Sequence, residues 1–298
     1  MKNFFWMIFT ILTSLTLVFI CVRLAPGDPV ENILGPLATS EEIVSLRNKL
    51  GLDQTIWTQY RLYLKSFFQG DLGNSVYSGK PVFELIKSHL APTLIISFFA
   101  ILFSSIIGSF LGVISAIKKH TFSDKLIRYL SLLGISFPIF SLGPILILIF
   151  SIQFNLLPVS EWGHWTNAIL PILTLTIPLS TILIRVARNR FLEEQNELWV
   201  LVLHSKGMPL ASVHSRVFYS ILTSLLTVLS LQLTVVLSGT IITETIFDIP
   251  GIGKLLFEGL QNRDYPLVQG VIVYTTLVYL GVQFLTDFLS SKIDPRIN

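Results

Sequence analysis

Six windows without a single Asp, Glu, Lys or Arg govern what this chain can fold into. They cover residues 3–22, 93–117, 129–160, 165–184, 217–243 and 265–286, each at least 20 residues long. A helix needs about 20 apolar residues to cross bilayer hydrocarbon, where no water takes up unpaired backbone groups. Charged residues make up 13% of the chain, against about 25% in soluble domains. The class is an all-α integral membrane protein with six candidate transmembrane helices. A soluble enzyme built around one large core is excluded.

The third window exceeds one simple span. Pro138 and Pro144 predict a kink inside it, and Gln153, Asn155 and Pro158 mark where its helix has left the hydrocarbon. Pro171 and Pro178 in the fourth window are tolerable where neighbouring helices satisfy the freed carbonyls. Residues 3–22 read as a retained first span rather than a cleaved leader. Their basic n-region is Lys2 alone, their apolar stretch is too long for a signal peptide, and no small-residue cleavage pattern precedes RLAPGDP, Cys21 notwithstanding.

Lys and Arg set the expected orientation. With the N-terminus in the cytoplasm, the inside segments hold 12 of them, and the short outside loops hold only Lys254 and Arg263. Segment 23–92 carries seven more outside, but it is too long to count in this rule. Both termini are therefore expected in the cytoplasm. The formal net charge of +3 reflects this bias and calls for no nucleic-acid partner.

The chain divides into a first transmembrane helix at 1–22, an extracytoplasmic helical segment at 23–92 and a five-helix core at 93–298. Within 23–92, TSEEIVSLRNKLG predicts a helix with Thr39 and Glu42 at capping-box spacing and Gly51 at its end. A second helix follows, with Trp57, Tyr60, Leu64 and Phe67 along one face, leaving through Gly70-Asp71-Leu72-Gly73. An outer cap packed on the membrane part is the expected role.

Catalytic motifs are missing. No G-x-x-x-x-G-K-[ST], H-E-x-x-H or G-x-S-x-G occurs, and the five histidines are scattered. Three features exceed a generic six-span protein. Glu244 interrupts an apolar run at a depth where a carboxylate costs about 2.5–3.5 kcal/mol. It either faces the interior or a path, or snorkels to water. In the inside segment 189–216, LWVLVLHSKGMPLASV predicts a short helix ending near Gly207, with Pro209 opening the next turn. Such a ledge either docks a soluble partner or holds the spans apart. Finally, ETIFDIPGIGKLLFEGLQNRDYP makes a compact outer loop, 246–266, in which Pro250, Gly251 and Gly253 permit a tight turn.

These residues resemble the permease subunits of bacterial ABC importers, in the branch for dipeptides, oligopeptides and nickel. The likeness runs nearly end to end: RLAPGDP, LGLDQTIWTQYRLYLKSFFQGDLGNSV, KPVFELI, APTLII, GVISAIKKHTFSDKLIR, GISFPIF, ILPILTL, ETIFDIPGIGKLLFEGLQNRDYPLVQG and the tail DPRI. It implies a type I importer permease fold with an extracytoplasmic helical insertion after the first helix, multi-pass in the bacterial cytoplasmic membrane. It also implies a second homologous permease, two cytoplasmic ATPases, an extracytoplasmic substrate-binding protein and surrounding membrane lipid as partners.

No cofactor belongs to this chain in that reading. ATP and Mg bind the partner ATPases, and the chain is a transport subunit rather than an enzyme, moving peptides by alternating access. The inside segment becomes the coupling helix, with Glu197, Trp199, His204, Ser205, Lys206, Gly207 and Met208 facing an ATPase. Phe247, Pro250, Gly251, Gly253, Arg263, Asp264, Tyr265 and Pro266 form an outer gate, and Glu244 lies on the translocation path. Lys206-Gly207 matches the family's K-G, but Leu201 to Ser205 stand where R-T-A-R-A is usual and Ser220 to Ser224 replace N-A-x-x-P. A nickel or metal-chelate cargo, a proton-driven transporter using Glu244 and Asp287, and a scaffold or receptor are the alternatives.

Overall fold

The computed structural model describes residues 2–24, 30, 34, 38–49 and 51–293. Residues 25–29 of the RLAPGDP stretch and the DPRI tail lie outside them. In chain order the helices are α1 (Lys2–Leu24), α2 (Ser40–Lys49), α3 (Ile56–Phe68), α4 (Val82–Ile117), α5 (Phe122–Ser136) and α6 (Ile139–Leu146). The chain continues from α6 through a π-helical stretch, Ile147–Gln153, and a 3-10 turn, Trp165–Ala168. Then come α7 (Ile169–Gln195), α8 (Leu198–Ser205), α9 (Leu210–Ile246), α10 (Ile252–Gln261) and α11 (Tyr265–Ile293).

Among the described residues, five helices are long and apolar enough to span a membrane, and six if the bent pair α5–α6 counts as one. The expected kink in the third window is far sharper than a proline bend, at 104° between Phe122–Ser136 and Ile139–Gln153. Phe137 and Pro138 are both extended, at ψ 119° and 147°. The residue before a proline is driven out of the α region, so the helix stops there instead of bending through. Helices α4 and α9, at 36 and 37 residues, are each about 55 Å long. Both outrun the hydrocarbon.

By packing, the chain forms two compact units. One compact unit joins residues 1–93 to 250–280, and the other joins 94–249 to 281–298. Helix α4 runs unbroken through 92/93, because Pro92 is accommodated inside it.

In the first unit, α2 starts on the predicted capping box. The Thr39 backbone N–H and hydroxyl donate to Glu42 Oε2 at 2.9 Å each, and Glu42 N–H donates back to Thr39 Oγ1 at 3.3 Å. Those two bonds hold the Glu42 carboxyl below its ordinary pKa, the backbone bond foremost. The box is therefore complete above the ordinary glutamate pKa and is lost as pH falls through the lowered value. Helix α3 lies against the end of α1: Phe19 meets the rings of Tyr60 and Tyr63 at 5.2 and 5.7 Å. Arg23 Nε donates to Gln59 Oε1 at 2.8 Å. A small core of Val82, Ile86, Ile252, Leu255, Leu267 and Val271 joins the start of α4 to α10 and α11.

The second unit is built around α7, whose Leu170, Leu175, Leu179, Leu183, Ala187 and Phe191 are all buried. Lipid tails are as apolar as leucine, so membrane helices associate through close contact rather than water exclusion. Helix α4 turns Ala100, Ser104, Gly108, Gly112 and Ala116, all buried, to one side at four-residue spacing. A methyl group on Gly108 would lie 2.4 Å from Leu183 Cβ. One on Gly112 would lie 2.6 Å from Ala187 Cβ and 2.7 Å from the Ile184 carbonyl. Helix α5 comes equally near at Gly134, whose added Cβ would sit 2.6 Å from Thr181 Oγ1. Helix α9 is tied on by Gln232 Nε2, donating to the Leu179 carbonyl at 2.8 Å.

Gly112→Ala must push α4 off α7, because the carbonyl it meets cannot swing aside. Overpacking of this kind costs about 1–3 kcal/mol, and thermal unfolding in detergent should show the fall. Gly281→Ala is the control, since no atom lies within 4 Å of its added methyl; the melting temperature should hold or rise.

Candidate functional site

Two regions gather the residues singled out on the sequence. At one, α7 ends at Gln195, Asn196 caps it, and α8 begins after Glu197, an exposed extended residue whose side chain makes no cap bond. Eight residues later the helix closes. The Gly207 N–H donates to the His204 carbonyl at 2.9 Å and the Met208 N–H to the Leu203 carbonyl at 3.2 Å. This is a Schellman motif, and its left-handed position is Gly207, at φ +71°. Pro209 then opens α9 as its N-cap. The short helix thus ends where LHSKGMP predicts.

Helix α8 has two faces. Val200 is buried with Phe191, Val213 and Val217, and Trp199, Leu203 and Met208 pack against that cluster. Trp199 Nε1 also donates to Glu194 Oε2 at 3.3 Å. Leu198, Leu201 and Val202 point away, 78%, 63% and 49% exposed. His204, Ser205 and Lys206 are exposed beside them, with Ser205 Oγ bonded back to the Leu201 carbonyl.

The second region is the stretch after α9, described separately on the two sides of Ile249. In the α7-centred unit, Glu244 is fully buried, at 0% exposure, as are Thr243 and Phe247. Burial favours the interior placement over snorkelling. Phe247 caps α9, and Asp248 takes the left-handed turn, at φ +54°. In the other unit, Pro250 is exposed, and Gly251 and Gly253 are buried. Gly251 is the extended N-cap of α10. The left-handed positions fall on Asp248 and Arg263, at φ +54° and +53°, rather than on those glycines. The Ile252 N–H donates to Thr93 Oγ1 at 2.8 Å.

Asp264 organises the exit of this stretch. Buried at 1% exposure, its carboxylate accepts from the Ser75 hydroxyl, from the Tyr77 N–H at 3.3 Å and from the Leu267 N–H at 3.2 Å. It is at once the N-cap of α11 and the anchor of the loop before α4. Tyr265 stacks under the Arg23 guanidinium, 5.1 Å from its ring centroid, with Phe19 at the same distance. Arg263, Tyr265 and Pro266 line a small cavity of about 70 Å³ with Arg23, Leu52, Val76 and Gln269.

A family profile described as "Binding-protein-dependent transport system inner membrane component" matches residues 108–298, and its N-terminal companion matches residues 3–98. The chain belongs to this family of ABC importer permeases. The permease is 34% identical over 289 residues to the "Probable peptide ABC transporter permease protein y4tP" of Sinorhizobium fredii, covering 94% of this chain and 92% of that one. It is 33% identical to the "Glutathione transport system permease protein GsiC" of Salmonella paratyphi A, over 100% of this chain and 97% of the relative. A solved chain of the inward-facing MetNI methionine ABC transporter shares its fold, with a TM-score of 0.58 at 17% identity, covering 71% of the permease and 97% of that chain.

The permease is therefore a multi-pass inner-membrane transport subunit of the type I importer fold. Family membership sets aside the proton-driven and scaffold readings. The side chain of Asp287, named for the first of these, lies outside the described residues.

One group escaped the sequence reading. Buried Asp124 and Ser115 form a cluster with the half-buried Arg188, whose Nε lies 3.0 Å from Asp124 Oδ1. Its signal was Thr121-x-x-Asp124 spacing, with Asp124 the sole acid in KKHTFSDKLIR. On the sequence, Arg188 and Arg128 are two of the 12 inside Lys and Arg residues and carry no other signal.

Removing the Asp264 carboxylate strands one hydroxyl and two backbone donors. Asp264→Ala should lower stability by about 2 kcal/mol and accelerate amide exchange at Tyr77. Asp264→Asn, which keeps an acceptor, should lose less.

Proposed function

We propose that this permease forms half of the translocation path of a peptide importer. A second permease would complete the path, two ATPases would bind ATP and Mg below, and an extracytoplasmic binding protein would deliver cargo. Both termini lie in the cytoplasm in this reading, as the distribution of Lys and Arg argues. The carrying observation is α8: a short helix fixed from behind by Val200 and presenting Leu198, Leu201 and Val202 outward. Exposed leucines on a closed, rigid helix fit docking into a partner's groove. Glu197 and the run from His204 to Gly207 frame that surface, with Trp199 and Met208 packed behind it. The names of the relatives support peptides, glutathione being one, as the cargo class.

The stretch around α10 is assigned to the outer gate, with Phe247, Pro250, Gly251, Gly253 and the run Arg263 to Pro266 as its members. Glu244 is assigned to the path, entering it when the helix ends part. Alternating access then needs only that the docked ATPases close on nucleotide and draw α8 with them.

Co-expression of the operon with a tag on this chain tests the assembly, and uptake of labelled oligopeptide, glutathione and nickel by the purified complex in liposomes tests the cargo. Peptide or glutathione uptake is expected; uptake of nickel alone would overturn the peptide assignment. Leu201→Asp should weaken ATPase retention about tenfold or more, since burial of a leucine contributes about 1.5–3 kcal/mol. Gly251→Val should abolish uptake while leaving membrane insertion and ATPase retention intact.

A further inference from the structure

The Asp124 cluster joins three helices at the end of the unit that carries α8. Asp124 is 0% exposed. Its Oδ1 accepts from Ser115 Oγ at 2.7 Å and Arg188 Nε at 3.0 Å. Its Oδ2 accepts from the His120 N–H at 3.0 Å and Arg188 Nη2 at 3.3 Å. Arg128 reaches Oδ1 from the solvent side at 3.4 Å, and Arg188 Nε also contacts Ser115 Oγ at 3.1 Å. The turn between α4 and α5 is shaped to this end, with His120 in the left-handed region at φ +67°.

A buried ion pair is a weak source of stability, because desolvation offsets most of its attraction. Its geometry is specific, however: a guanidinium fork on a carboxylate resists both sliding and rotation. The fork sits on the path of any force applied to α8. Phe191, one turn beyond Arg188 on α7, is buried against Val200 of α8 and Val213 of α9. Helix α5 starts at the fork and meets α7 again at its far end, where Gly134 lies against Thr181. Beyond that contact comes the 104° bend into α6.

We propose that Asp124 and Arg188 are positioning residues that lock α5 to α7, so that a pull on α8 moves the α5–α6 bend instead of dissipating at the α4–α5 turn. The inference rests on α8 being the site at which the ATPase docks. With the fork intact, α7 and α5 move as one body. With it broken, α7 follows the ATPase and α5 lags.

The test uses the assembled complex in lipid nanodiscs, with the lone cysteine removed by Cys21→Ser and spin labels placed through Glu193→Cys on α7 and Leu130→Cys on α5. In the otherwise native chain a single narrow distance is expected, the same without nucleotide and after vanadate trapping. In Asp124→Asn the distance should broaden or differ between the two states, and stimulation of ATP hydrolysis by the binding protein should fall about fivefold or more. Arg188→Lys, which keeps the charge and loses the fork, and Ser115→Ala, which removes one bond, should give graded versions of both effects. They carry the measurement if Asp124→Asn does not assemble. Unchanged distance and stimulation in these variants would overturn the lock alone. Failure of the ATPases to co-purify with the native chain would overturn the docking assignment beneath it.

Discussion

Close approach to α7 is the constraint on which the larger unit depends. In hydrocarbon, burying another leucine brings little net gain, so neighbouring helices must reach contact distance before dispersion and interhelical hydrogen bonds hold them. Gly108 and Gly112 give α4 that distance, and Gly134 gives it to α5. The side-chain amide of Gln232 then fixes α9 against the same helix. Its donor has found a backbone acceptor, which offsets part of the cost of burying the amide, while Gln232 Oε1 is buried without a partner.

Where the unit carries Lys118, Lys119 and Arg188, the packing changes character. Small residues give way to Asp124, held by five donors that include Arg128. An uncompensated carboxylate at this burial would cost about 3–5 kcal/mol, so the pairing is obligatory for the pose. The smaller unit uses the same device once more at Asp264, with a hydroxyl and backbone N–H groups in place of arginine. Each carboxylate joins segments far apart in sequence.

What could be read in advance was local or periodic. The charge-free windows located the spans, Thr39 and Glu42 foretold the start of α2, and Lys206-Gly207-Met208-Pro209 foretold the close of α8, because each feature rests on bonds spanning a few residues. The severity of the break at Phe137-Pro138 was out of reach. Proline disfavours continuation of the helix without forbidding it, as Pro92 inside α4 shows, and the angle is set by what α6 packs against. Asp124 and Arg188, 64 positions apart, looked like ordinary members of charged loops. The glycines of PGIG misled in another way: turn chemistry drew attention to Gly251 and Gly253, while the backbone reversals fell on Asp248 and Arg263, residue types that adopt the left-handed region less readily.

An isolated eight-residue peptide does not hold a helix in water. In α8 that conformation is secured from within, by Val200, Trp199, Leu203 and Met208 against the cluster of Phe191 and Val213, and by the glycine closure at its end. The entropy of ordering is thus met before any encounter. A subunit that docked on Leu198, Leu201 and Val202, as proposed, would recognise a finished shape, and its affinity would reflect surface fit without a folding penalty.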